Sequence, residues 1–340
     1  MRSGIIAGGN WIVDHLKIVT EWPAQDSLAT IIGESYGNGG SPYNVLKDLS
    51  LLGATFPRAG VGLIGDDAHG RSILADCQTH QIDTRQIRSI SSAPTSYTDV
   101  ITVQSSGRRT FFHHRGANAH LSADHFNFES VSAKLFHLGY LLLLDRLDTL
   151  SAEGQTEAAL ILTRARAAGL RTSADCVSEQ GDRFLKIASP SLPHIDYFFA
   201  NDYEAEKLTG ISLRENGRLR SSAIREAGRK LLDAGVKTWV ILHFTEGAYA
   251  ISREAECWQG SVRVPASSIK GAAGAGDAFA AGVLYGLHEE WPISECLRLG
   301  VCAAASSLYH PSCSGSVRSL QGCWDLANSL GMHAPPHEKI

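Results

Sequence analysis

The residues best suited to chemistry lie in the segment KGAAGAGDAFAAGVLYGL at 270–287. Every residue from Gly271 to Gly276 is small, and the run delivers an acid, Asp277, straight into an apolar stretch that reads as a helix. Small residues let a main chain come close to a ligand. The unpaired amides of a helix N-terminus then face that ligand and favour negative charge. The segment can therefore hold a phosphate and set a carboxylate beside it. It suits equally well a tight loop into a helix, with Asp277 complementing the helix dipole and Ala278, Gly282 and Gly286 permitting close packing. A helix N-terminus should also make Asp277 more acidic, hence a weak base in isolation.

Three other patterns bear on chemistry. NDYEAEKLTG at 201–210 places Glu204 three residues after Asn201 at a helix start, which is a capping-box pattern. GVGLIG at 60–65 literally satisfies G-x-G-x-x-G and admits a dinucleotide-binding dehydrogenase as an alternative. DDAHG follows it, where a dinucleotide site needs an immediate helix start. No G-K-[S/T] tripeptide occurs, which excludes a Walker A nucleotide site. His113 and His114 would alternate faces of a strand and cannot easily share a metal ion. Together with His120 and His125 they read as surface residues of a small flap.

The elements that must position these residues follow an α/β pattern. GIIAGGNWIVDHL at 4–16 reads as a strand that breaks at a Gly-Gly turn and continues. Helices are predicted within 39–54, stopped by Gly53, and within 70–82. Residues 95–115 alternate, turn at Ser-Gly and alternate again, which marks a hairpin. From residue 134 strands and helices alternate, with helices stopped by Gly169, Gly210 and Gly235. That alternation predicts a mostly parallel, doubly covered sheet in a single domain over 1–340.

Bulk properties narrow the classes. A net charge of −4 argues against a nucleic-acid binder. The seven cysteines, Cys313 among them, are odd in number and contain no C-x-x-C pair, so free thiols in a reducing cytoplasm are expected rather than disulfides or zinc. No secretory h-region is visible, and the longest apolar run, LGYLLLLD at 138–145, is too short to span a bilayer.

GAGDAFAAG resembles the C-terminal signature D-T-x-G-A-G-D of the ribokinase-like (PfkB) carbohydrate kinases. Four further markers occur in the family's order: YGNGGSPYNV at 36–45, VGLIGDDAHG at 61–70, RGAN at 115–118 and NDYEAEKLTG. The resemblance covers about residues 5–325. It implies a three-layer α/β/α sandwich with a small β-sheet lid, here about 10–37 and 95–117. It implies transfer of a phosphoryl group from ATP, with Mg²⁺, to a hydroxyl of a sugar-like molecule. Asp277 would be the catalytic base, and the amides of Ala273, Gly274, Ala275 and Gly276 an anion hole. Asn201 and Glu204 would order Mg²⁺ through water, Gly247 would contact the nucleotide, and Asp14, Gly40, Asn44 and Asn118 would contact the acceptor. A homodimer with no membrane partner is expected.

Two positions depart from the family's pattern. Its D-T-x is Gly271-Ala272-Ala273 here, so no monovalent-cation site is expected. Its T-x-G-x-x-G keeps Gly247 but has Leu242 and Phe244 at the Thr and first Gly, adding bulk beside the nucleotide. A nucleoside kinase of the same fold, and a weak or inactive sugar-binding relative, stay open beside the sugar kinase.

Overall fold

The computed structural model describes residues 2–129, 131–310 and 315–338; Cys313 lies outside them. In chain order the first strands are β1 (Ile5–Gly9), β2 (Ile12–Val19), β3 (Ile31–Gly39), β4 (Arg58–Gly65) and β5 (Ile82–Ile90). Then come β6 (Ser96–Val103), β7 (Arg109–His114), β8 (Leu135–Leu141), β9 (Arg171–Cys176) and β10 (Tyr197–Asn201). The last are β11 (Arg214–Glu215), β12 (Arg218–Leu219), β13 (Trp239–Phe244), β14 (Gly247–Ile251) and β15 (Glu256–Gly260). The helices are α1 (Ser41–Leu51), α2 (Ala68–Thr79), α3 (Glu157–Ala167), α4 (Phe184–Ala188), α5 (Asp202–Thr209) and α6 (Ser221–Asp233). They continue with α7 (Ala275–His288), α8 (Ile293–Ser307) and α9 (Leu320–Leu330).

Nine strands form the main sheet in the order β15-β14-β13-β10-β9-β8-β1-β4-β5. Pairing is parallel from β13 across to β5, and β14 and β15 add an antiparallel edge. Near-continuous burial along β1, β4 and β8 is what a strand covered on both faces requires. One buried cluster joins that sheet to α3, α4, α5 and α6, and a second joins it to α1, α2, α7, α8 and α9. The result is the three-layer sandwich. Strand order runs one way from β1 to β5 and the other way from β8 to β15, so a topological switch lies between β1 and β8. Ligands of open α/β sheets bind outside the carboxyl ends of strands at such a switch.

A second sheet, ordered β3-β2-β6-β7, stands apart from the first. Its centre, β2 with β6, is parallel, while the outer pairs are antiparallel. Its strands fall within 12–39 and 96–114, and the 95–115 hairpin turns through Gly107. The chain enters this sheet directly from β1 through Trp11, which is fully buried. The indole donates to Val61 O at 2.8 Å and fills the space over β4. A Cβ on Gly60 would lie 2.6 Å from its ring, and one on Gly62 would collide with it. The glycines of GVGLIG thus make room for an aromatic ring inside the core, which removes the dinucleotide alternative.

Candidate active site

Each side chain of the site is set by how its element begins or ends. Gly40 caps α1 with φ 92°, and a Cβ there would strike Asn10 O, so only glycine fits. One turn on, Asn44 points from α1 toward α7. Gly274 caps α7 with φ 75° and no side-chain cap. The N–H of Ala275 turns back to Ala272 O at 3.3 Å, whereas those of Gly274, Gly276 and Asp277 have no backbone partner among the described residues. These amides are the open donors of the helix start. Farther along α7, a Cβ on Gly282 would lie 2.9 Å from Gly300 of α8, so the small residues here do serve close packing as well.

Asp277 is 4% exposed and closely held. Asn44 Nδ2 donates to its Oδ2 at 2.7 Å, and Tyr140 Oη donates to Oδ1 and Oδ2 at 2.8 and 2.7 Å. Burial, followed by the nearby Asp175 carboxylate, holds the Asp277 carboxyl well above its usual range; the bonds from Asn44 and Tyr140 offset this only in part. This reverses the expected acidification. Desolvation and a like charge outweigh the helix N-terminus, and the result is a better base.

Asp175, at the end of β9, is anchored on one side. Ser41 Oγ donates to its Oδ2 at 3.0 Å and lies 3.0 Å from His137 Nε2, while His137 Nδ1 lies 2.9 Å from Ser173 Oγ. Its Oδ1 is buried with no hydrogen-bond partner among the described residues.

Asn201 and Glu204 form the full capping box of α5. Asn201 Oδ1 accepts from Glu204 N at 2.9 Å, and Glu204 Oε2 accepts from Asn201 N at 2.9 Å. Glu204 Oε1 also accepts from Ser178 Oγ at 2.7 Å and Asn201 Nδ2 at 2.9 Å. Burial pushes the Glu204 carboxyl up to about 8. No group of three ligating side chains able to hold a metal ion occurs among the described residues. An oxygen-only donor set such as Asn201 and Glu204 suits a hard cation reached through water and held chiefly by phosphate oxygens.

Two cavities meet at this point. One, of about 440 Å³, is lined by Asp14, Gly40, Asn44, Asn201, Glu204, Ala273, Gly274, Gly276 and Asp277, with Ile12, Leu16, Thr98, Val100, Phe111 and His113 of the small sheet forming a wall. The other, of about 530 Å³, is lined by Gly247, Phe244, Ala275, Gly276 and apolar residues of α8. Asn201, His243 and Gly276 belong to both. Neither cavity has a Lys or Arg among its described lining residues.

Of the candidate site residues, Asn118 alone lines neither cavity; Leu242, expected to add bulk beside the nucleotide, is likewise sealed in the core and lines neither. Asn118 is fully buried and clamps Trp11, accepting from its N–H at 3.3 Å and donating to its carbonyl at 3.1 Å. His113 is not the surface residue expected. It lies against Thr98 Oγ1 at 3.0 Å and faces the first cavity, and burial pushes its imidazole down to about 4. His114, on the opposite face, stacks on Tyr97. Sequence reasoning missed Tyr140, Asp175 and His243. One signal was available: each sits at the carboxyl end of a core strand, where an α/β sheet places ligands.

The family model described as pfkB family carbohydrate kinase matches residues 9–320. The chain is 25% identical to ribokinase of Haemophilus influenzae over 94% of its own length and 97% of that protein. It is 26% identical to an uncharacterized sugar kinase of Archaeoglobus fulgidus, covering 76% of this chain and 94% of the relative. A stretch of 95 residues is 36% identical to 5-dehydro-2-deoxygluconokinase of Geobacillus kaustophilus, but it spans only 28% of either chain. The fold is that of Arabidopsis thaliana ribokinase solved with ribose and ATP, at TM-score 0.76 and 20% identity over 96% of this chain and 99% of that one. It is equally that of a Burkholderia thailandensis nucleoside kinase solved with inosine, at TM-score 0.75 and 17% identity over 97% and 100%. With the family match running from the end of β1 to the start of α9, this chain belongs to the pfkB family of carbohydrate kinases.

Proposed function

We propose that this protein transfers the γ-phosphoryl group of ATP to a hydroxyl of an uncharged sugar or nucleoside, with Asp277 as the base. The observation that carries the reading is the junction at Gly276. A carboxylate raised in basicity and a row of open amides stand where two cavities meet. The acceptor lies in the cavity walled by the small sheet, with its hydroxyls against Asp14, the Gly40 main chain and Asn44. The nucleotide lies in the other, against Gly247. Asp277 orients the attacking hydroxyl and takes its proton late, as the loose transition state requires. The amides of the loop from Ala273 into the helix, chiefly the open ones of Gly274, Gly276 and Asp277, hold the migrating group, and their charge stabilisation is the larger contribution. Mg²⁺, when bound, neutralises phosphate charge, and Asn201 and Glu204 reach it through water.

The charge of the acceptor cavity supports a neutral substrate. Asp14, Asp175 and the ionised Asp277 line it without a Lys or Arg, so the carboxylate of a sugar acid would meet like charge with no compensating cation. A nucleoside is the second reading, favoured by Leu16, Val100, Phe111, Leu143 and Val177, which offer an apolar surface to a base. The test is ADP release with Mg²⁺-ATP over pentoses, ketohexoses, keto-deoxy sugar acids and nucleosides, against Asp277→Asn. Turnover confined to the acids would overturn the neutral-acceptor reading. Activity that survives unchanged in Asp277→Asn would remove Asp277 from the chemistry.

The small sheet acts as a lid that excludes water from the transfer. It exposes Trp22, Ile31, Ile32, Tyr36 and Phe112, and two copies pairing through it form the expected homodimer. Light scattering of the purified protein at micromolar concentration checks this. A cytoplasmic setting fits the six described cysteines, all unpaired, and no helix among the described residues is long and apolar enough to cross a membrane.

A further inference from the structure

The two cavities share three residues, and only one offers a side-chain N–H to spare. Gly276 has no side chain. Both Nδ2 hydrogens of Asn201 are spent within the protein, on Ser178 Oγ and Glu204 Oε1. The imidazole of His243, the next-to-last residue of β13, makes no hydrogen bond with any described residue, yet its ring is fixed in place. It packs on Phe279 at 5.1 Å between centroids. The space a Cβ on Gly276 would fill lies 3.3 Å from its Cε1 and 3.7 Å from its Nε2. The edge bearing Nε2 therefore faces the main chain of the phosphate cradle.

Charge balance gives this placement weight. A triphosphate brings several negative charges into cavities that carry no Lys or Arg among their described lining residues. Main-chain amides and a water-linked cation then bear most of that charge. An added N–H at the boundary of donor and acceptor would act where charge moves during transfer. An imidazole has at least one N–H in either protonation state. At this position a leucine would fill the same space without a donor, so shape alone does not call for histidine.

We propose that His243 is a further catalytic residue, donating an Nε2 hydrogen bond to an oxygen of the phosphoryl group as it passes between the two cavities. This rests on the kinase reading above, and deepens it by naming a contact specific to the group in flight. Such a donor strengthens with charge development and belongs more to the transition state than to either ground state. It should be nearly silent toward ADP, whose phosphates stop short of the boundary.

The experiment compares ADP alone with ADP plus aluminium fluoride, which mimics the transferring phosphoryl group. Both are titrated calorimetrically with Mg²⁺ into the wild type, His243→Leu and His243→Gln. The expected result is that His243→Leu binds ADP within about threefold of the wild type but loses roughly ten- to a hundredfold toward the fluoride complex. His243→Gln, which keeps an N–H at similar reach, should recover most of that loss. Melting temperatures of the two variants within a few degrees of the wild type confirm that folding is intact. Equal losses toward ADP and the fluoride complex, or no loss toward either, would overturn the assignment of His243. So would a glutamine variant as impaired as the leucine one. A wild type that binds ADP in neither form would instead overturn the kinase reading beneath it, so the two failures are told apart.

Discussion

The cavities on either side of Gly276 are both largely apolar in lining, but they differ in charge. The acceptor side gathers Asp14, Asp175, Glu204 and Asp277, and its wall holds buried polar atoms without partners among the described residues at Asn44 Oδ1, His113 Nε2 and Asp175 Oδ1. The donor side is lined by Phe244, Val262, Val264, Ile269, Val301 and Leu308. Its polarity comes chiefly from main chain and from Asn201, Asp202, Thr245 and Ser261. An unpartnered buried polar atom costs free energy until a ligand satisfies it. The acceptor side is therefore strained toward its substrate, while the donor side offers shape and apolar contact. Selectivity should accordingly be sharp for the acceptor and loose for the nucleoside half of the donor.

The comparison can be broken most severely at Asp277. Asp277→Asn should lower kcat by about a thousandfold while leaving nucleotide affinity nearly unchanged, as measured by coupled turnover and ADP titration. A variant that loses nucleotide affinity instead would show that the carboxylate serves both cavities. On the donor side, Phe244→Ala should deepen the cavity and lower the nucleotide KM about fivefold, worth roughly 1 kcal/mol. The acceptor KM should not move. An unchanged nucleotide KM would mean that Phe244 lies clear of the bound donor.

A subtler change is expected at Asp175. Asp277 must be ionised to accept a proton, and its raised pKa places the acid limb of kcat/KM above the ordinary carboxylate range, with activity lost as pH falls. Asp175 is the main neighbouring charge responsible, so Asp175→Asn should move that limb toward lower pH. A pH–rate profile from about pH 4 to 9 reads the shift; an unmoved limb would assign it to another group.

The smallest effect is on stability. A carboxyl raised in the folded state stabilises below its unfolded-state value and loses that contribution as pH rises through the folded one. Near pH 8 the ionised Asp277 therefore penalises the fold. Asp277→Asn should raise Tm there by roughly 2–4 °C, with the gain shrinking toward pH 4. Melting curves at the two pH values check the sign.

Much of this was legible in the residues. The small-residue run ending in Asp277, the Gly-Pro entry to α1 and the capping box at Asn201 are local signals, and each formed where its spacing placed it. The glycines at 53, 169, 210 and 235 all take positive φ just past a helix. What was not legible depends on pairing at a distance. The parallel union of β2 with β6 joins segments about 80 residues apart, and no local pattern announces it. The rise in the Asp277 pKa has the same origin. Asp175 and Tyr140 come from separate strands, and burial emerges only when the layers close. Asn118 misled for the converse reason. Its motif marked the right turn, but the side chain faces inward to Trp11.

That tryptophan has a practical use. Trp11 sits at the root of the small sheet with its indole sealed over β4, while Trp22, on the following loop, is half exposed. Buried and wet indoles emit at different wavelengths, so with the chain's four other tryptophans replaced the pair forms an intrinsic optical gauge. A tilt of the small sheet on ligand entry would alter one emission band without any attached dye, and the opening and shutting of the cleft could be followed in real time.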